Sequence, residues 1–217
     1  MKNIDSRASI SPDAKIHPTA VIHGNVTIES AVYVGAFCEI GLDTEENAAP
    51  VIIEKNAYIG SHCRIGAQAE TKKTHKYIGV LIEREAILHG HNTVDSGTEM
   101  MTRIGERSYI MKQVHVGHDV VIGGEVSAAP GVRFGGHVTV GNFAGFGMNA
   151  VVHPQCIIDE GAMVGAGCVV SRGQKVRAWR KVVGVPSRDI GWNKIGMERN
   201  GVTDTTVGVE RVKWNLG

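Results

Sequence analysis

The segment Gln113–Gly124, QVHVGHDVVIGG, sets His115 and His118 three residues apart, with Asp119 directly after the second and a glycine pair behind them. Two imidazoles at this spacing suit a metal ion. An imidazole beside a carboxylate suits general-base catalysis, because the carboxylate fixes the tautomer and stabilises the imidazolium. Taken singly, each histidine is also an ordinary polar residue on the outside of a strand. The spacing alone does not separate these readings, and the periodicity of the surrounding chain has to.

From Ile10 the chain reads ISPDAK, IHPTAV, IHGNVT, IESAVY, VGAFCE, IGLDTE, with an aliphatic residue opening each hexad and a small or aliphatic one four places later. The phase returns at Ile53 and at Ile82. From Ile104 it runs unbroken through Ile110, Val116, Ile122, Ala128, Phe134, Val140, Phe146, Val152, Ile158, Val164, Val170 and Val176. Such a repeat predicts an all-β protein, a parallel β-helix in which each hexad supplies one short strand and a turn. Three hexads close a triangular coil, and stacked coils bury a continuous aliphatic column. The expected hand is left, as in the proteins whose hexapeptide signature this repeat resembles, although the usual crossover rule favours right.

The helix is expected over residues 1–183, with a short extension at 184–217. Excursions at 42–50 and 71–80 and a four-residue slip after Val94 break the phase, and such insertions tend to carry function. The stretch VPSRDIGWNKIGMERNG predicts a turn, an N-cap at Ser187 or Asp189, and one short helix covering the last coil. Cys38, Cys63, Cys156 and Cys168 all fall at the small inward position, so they read as buried hydrophobes, neither disulfide nor zinc ligands. A formal charge of +1 gives no reason to expect nucleic acid or an anionic membrane as partner. The N-terminus lacks an apolar signal region and no apolar run is long enough to span a bilayer, so a cytoplasmic protein is the default expectation.

In this register, residues eighteen apart stack at about 4.8 Å. His118 then lies beside Gly136, Asp119 beside His137, and His153 one place off the same column. A metal would need further ligands converging on the pair, and no cysteine points outward to help, so no metal is expected. The patch suits acyl transfer. A neutral imidazole takes a proton from an attacking hydroxyl or amine, the carboxylate orients it, and a backbone N–H stabilises the oxyanion. No serine or cysteine nucleophile is evident, so direct attack on a thioester is expected.

The segments IHPTAVIHGNVTI, HKYIG, HVGHDVVIG, FGGHVTVGNFAGFGMNAVVHPQC and GWNKIGMERNG carry a resemblance to the UDP-N-acetylglucosamine O-acyltransferases of lipid A synthesis, running from about Ile10 to Gly201. The hexads are generic to many acyltransferases; the HxxHD, GGH and GWNxxGxxRxG segments are more specific. The resemblance implies transfer of a 3-hydroxy fatty acyl group to the 3-hydroxyl of UDP-N-acetylglucosamine or a related UDP-sugar. The donor would be a phosphopantetheine thioester on acyl carrier protein, alternatively CoA, with no bound cofactor. It implies a homotrimer, with His118 as general base, Asp119 its partner and the Gly136 N–H the oxyanion donor. By the same implication His115, His137 and His153 line the cleft, Lys76, Asn193 and Arg199 serve the nucleotide-sugar, and Ala166 helps set acyl length.

The chain departs from that pattern in several places. Asp95 stands where the family commonly has histidine, Thr74 where an aspartate often precedes the lysine, and Pro154 where a glutamine follows the third histidine. The chain ends at Gly217, short of the family's usual C-terminal helical domain. Two other classes remain open. Nucleotide-sugar N-acetyltransferases use acetyl-CoA and end in a GxPA pattern close to VVGVPSRDI. Non-catalytic or metal-binding hexapeptide scaffolds share only the repeat.

Overall fold

The computed structural model describes residues 3–42, 49–72 and 76–203. Among them the chain forms three sheets of nine, ten and eight strands, in which each strand is paired in parallel with the strand three places on, save for one antiparallel strand at the C-terminal edge of the ten-stranded sheet. Most strands are two residues long, so no coil could stand alone; each is held by the coils above and below. The eighteen-residue stack is met where the phase is unbroken: His115 pairs with Arg133, Val116 with Phe134, and Val121 with Thr139. The whole run of hexad openings from Ile104 to Val176 is at most 3% exposed and forms the core column. The four cysteines are free and buried in the same column, and Cys38, Cys63 and Cys156 donate their thiols to carbonyls of neighbouring coils.

The coil closes through a conformation that the sequence pattern did not announce. Every sixth residue from Arg107 to Trp179 has positive φ, including Asp119 at 59° and His137 at 60°. Glycine is at ease there, whereas an L-residue pays about 1–2 kcal/mol. Where a side chain occupies such a turn, its own contacts must offset that strain.

Two excursions meet. The arm returning from the second one, Lys76–Val80, lies against the bulge after Val94: Ile78 N–H donates to Gly97 O at 2.7 Å, and Gly97 N–H to Gly79 O at 3.0 Å. Residues 43–48 of the first excursion and 73–75 of the second, with Thr74 and His75, lie outside the described residues.

The C-terminal expectation needs correction. Ser187 and Asp189 do not start a helix; Arg188–Trp192 is a strand antiparallel to Arg180–Val183, and the helix is Lys194–Arg199, capped by Asn193. Asp189 is engaged elsewhere, taking two 2.8 Å hydrogen bonds from Arg180, whose guanidinium also sits 4.7 Å over the Trp192 ring. That antiparallel strand covers the edge of the ten-stranded sheet. No helix among the described residues is long and apolar enough to cross a membrane.

Candidate active site

Asp119 sits at the turn that follows the strand His115–Val116, and its side chain is fully buried. Oδ1 accepts three backbone N–H groups, from Thr98 at 2.8 Å, Glu99 at 2.8 Å and Met100 at 2.9 Å. Oδ2 accepts the Thr98 hydroxyl at 2.8 Å and His118 Nδ1 at 2.7 Å. The Asp119 N–H in turn donates to Thr102 Oγ1. Burial opposes ionisation, but the bonds from His118, Met100, Glu99 and Thr98 outweigh it and hold the carboxyl well below the usual range. The slip after Val94 therefore has a purpose: it folds Thr98–Met100 around one carboxylate. Sequence reasoning saw the slip and missed these donors, because backbone N–H groups leave no residue-type signature.

With Nδ1 donated to Asp119, His118 presents Nε2 as its basic atom. The ring is about one-fifth exposed. Gly136 lies under it as the register requires: a β-carbon there would stand 2.7 Å from Nε2. The Gly136 N–H makes no hydrogen bond among the described residues and is free to receive a ligand oxygen. His137 completes the cluster, its ring edge-on to His118 at 5.0 Å and its Nε2 3.7 Å from Asp119 Oδ2.

His118, Asp119 and His137 offer three ligand atoms within 4.8 Å of one another. The chemistry of the set argues against a metal. Both Asp119 oxygens are saturated by donors, and coordination through Oδ2 would displace the Thr98 hydroxyl or His118 Nδ1 from a buried carboxylate.

His115 is separate from this cluster. Its Nδ1 bonds to Thr93 Oγ1 at 2.8 Å, and it lines a groove of about 650 Å³ with Glu70, His91, Gln113 and Arg133. Burial lowers its pKa, with Arg133 adding to this and Glu70 opposing it. Asp95, one strand away, is 4% exposed. Its Oδ2 lies 4.0 Å from His115 Nε2 and makes no hydrogen bond. Burial, reinforced by Glu70, raises its pKa to about 7 against the pull of a Glu70 backbone bond, His118 and Arg64.

The other expected residues are more dispersed. His153 is exposed and follows Val152, which pairs with Phe134, so it flanks Gly135 one column from Gly136. Lys76 is exposed on the arm that packs against Gly97, just before the Thr98–Met100 cradle. Ala166 is an exposed turn residue stacked on Gly147, at the corner between the strands Met163–Val164 and Val169–Val170. Asn193 uses its amide structurally, donating to Gly161 O at 3.0 Å and accepting from Gly196 N–H. Arg199 is exposed in the last helical turn.

No protein-family model matches the sequence, and neither does any curated protein. Solved structures do match. A UDP-N-acetylglucosamine acyltransferase from Campylobacter jejuni superimposes with a TM-score of 0.81 at 24% identity, over 96% of this chain and 82% of that one, which establishes the fold. The Arabidopsis UDP-N-acetylglucosamine acyltransferase gives 0.71 at 25% identity over 94% and 79%. That of Francisella novicida gives 0.62 at 30% identity over 92% and 74%.

Proposed function

Since this chain is a structural relative of the UDP-N-acetylglucosamine acyltransferases, we propose that it transfers a fatty acyl group from an acyl carrier protein thioester to the 3-position of UDP-N-acetylglucosamine or a related UDP-sugar. The observation that carries the reading is the locked pair His118–Asp119, with Nε2 facing a glycine. The sugar nucleophile attacks the thioester carbonyl while His118 Nε2 takes its proton. Asp119, fixed as the anion, stabilises the imidazolium. The Gly136 N–H donates to the developing oxyanion. Collapse of the tetrahedral adduct expels the thiolate, which takes the proton back from His118.

His115, His137 and His153 serve as cleft residues in this reading, Lys76 and Arg199 as cations for the diphosphate, and Ala166 as a limit on acyl length. Asn193 acts through the helix that it caps. The site opens on one face of the prism, so a neighbouring subunit would close it, and we take the working form to be a homotrimer. Light scattering that gives a monomer at assay concentration would remove that part.

The deciding experiment is a thiol-release assay with acyl carrier protein thioesters and acetyl-CoA against several UDP-sugars. Release that requires both a UDP-sugar and the carrier-protein thioester supports the assignment. Release with acetyl-CoA alone as donor moves the protein to the N-acetyltransferases, and no release with any pair leaves a scaffold.

A further inference from the structure

Both legs of the second excursion are fastened to one short segment, and the same segment grips Asp119. On the outgoing leg the pairing slips by one residue: Val94 faces Ile65 and Asp95 faces Ala67, which leaves Gly66 over, at a φ of 81°. Ser96 closes this slip. Its N–H donates to Ala67 O at 2.7 Å and its hydroxyl to Gly66 O at 3.1 Å. Ser96 is 0% exposed, so water cannot replace either bond. Asp95, the residue before it, accepts the backbone N–H of Glu70. The returning leg meets the residue after it: Ile78 N–H donates to Gly97 O, Gly97 N–H to Gly79 O, and Thr102 N–H to Gly79 O at 3.1 Å. Thr98, Glu99 and Met100 then give three consecutive N–H groups to Asp119. Gly97 leaves no slack between the two halves, because a β-carbon on it would run into Met100 O.

We propose that Ser96 is a positioning residue for the base: by pinning the bulge Asp95–Met100 to Gly66 and Ala67, it fixes the N–H groups that draw charge from Asp119, and so sets the basicity of His118 without touching substrate. This rests on the reading of His118 and Asp119 as base and orienting carboxylate. Each N–H bond to Oδ1 takes negative charge away from the carboxylate. With the pin in place, Asp119 orients the ring and leaves its proton easy to lose. Without it the three N–H groups drift, the carboxylate keeps more of its charge, and the imidazolium is stabilised. His118 is then neutral over a narrower range of pH, and only the neutral ring accepts a proton. The bulge also carries the arm Lys76–Val80 through Gly97. Arm and base are thus aligned by one piece of chain. The other titratable groups facing the pair are His137, whose Nε2 is 3.7 Å from Asp119 Oδ2, and Asp95, and replacing the Ser96 hydroxyl changes the charge of neither.

The test is Ser96→Ala, with Ser96→Thr as the variant that keeps the hydroxyl, assayed with an acyl carrier protein thioester and UDP-N-acetylglucosamine. In Ser96→Ala kcat should fall by roughly 10–100-fold at neutral pH while KM changes little. The acid limb of its pH–rate profile should move to higher pH, and Ser96→Thr should restore most of both. A serine with a merely structural role would lower the melting temperature and leave the acid limb where wild type has it; that result overturns the proposal, as does a loss confined to KM. Hydrogen exchange on wild type decides the matter even where Ser96→Ala does not fold. The N–H groups of Ile78, Ser96, Gly97, Thr98, Glu99 and Met100 should open as one unit with a common opening equilibrium. An arm that exchanges while Thr98–Met100 stay protected overturns the coupling. An acid limb that survives in His118→Ala removes instead the base reading on which the proposal rests, and it does so without disturbing the exchange pattern, so the two failures give different results.

Discussion

A β-carbon on Gly136 would stand 2.7 Å from Nε2 of His118, the atom proposed as the base. Gly136 is not among the residues of positive φ, so its backbone admits alanine without strain. Gly136→Ala should therefore fold with a stability change within about 1 kcal/mol. Turnover should fall by ~10²-fold or more, because the imidazole must swing off its productive line. Steady-state rates and a thermal melt on one preparation check both halves. A fully active alanine variant would mean that Nε2 does not face the reaction.

Asp119 gives a prediction with a defined pH course. Its carboxyl is easier to ionise in the folded chain than in the unfolded one. Its contribution to stability is thus complete above the unfolded value of about 3.9 and fades as acid protonates the folded group. Asp119→Asn should cost about 1–3 kcal/mol at pH 7, since an amide nitrogen beside the Thr98 hydroxyl or His118 Nδ1 replaces an acceptor by a donor. The gap between the two proteins should start to close only below about pH 4 and narrow progressively as the pH falls further. Denaturant melts at several pH values would show this, and a gap that stays constant into acid would contradict it.

How far the sequence could be read is explained by the same two residues. Ile104 to Val176 repeat at six, and a strict period is enough to place His118 on Gly136 and Asp119 beside His137 without any further knowledge. Side chains made that legible. The grip on Asp119 was not, because Thr98, Glu99 and Met100 give it their backbone N–H groups, which any residues could supply. Asp95 stood out in the sequence only as a departure from the family's histidine; its burial was not legible, because the register shifts between Val94 and Asp95. The helix start was misread at Ser187 and Asp189, which have the right residue types for a cap. Asp189 is claimed by Arg180 and the cap falls to Asn193. A local preference lost to a tertiary ion pair.

The three clustered ligand atoms of His118, Asp119 and His137 invite a metal test. Because the Asp119 oxygens already hold five donors, prolonged dialysis against a chelator should leave turnover unchanged, and added zinc should not raise the melting temperature. Stoichiometric zinc in purified protein, lost together with activity on chelation, would replace the base mechanism with a metal-assisted one.

The sharpest separation of enzyme from scaffold comes from His118. Its ring fills no core volume, yet it donates 2.7 Å to a buried carboxylate, so His118→Ala should lower stability by about 1 kcal/mol and no more, since four other donors keep Asp119 satisfied. If Nε2 is the base, turnover should drop by roughly 10²–10⁴-fold with little change in substrate affinity, because proton transfer belongs to the transition state. The acid limb of the pH–rate profile should vanish with the ring. His137→Ala and His115→Ala should cost less, and chiefly in KM, since neither shares the short bond that fixes the base. An exogenous imidazole that restores part of the rate to His118→Ala, and not to the other two variants, would place the proton transfer at this position; a His118→Ala enzyme within a few-fold of wild type would remove it.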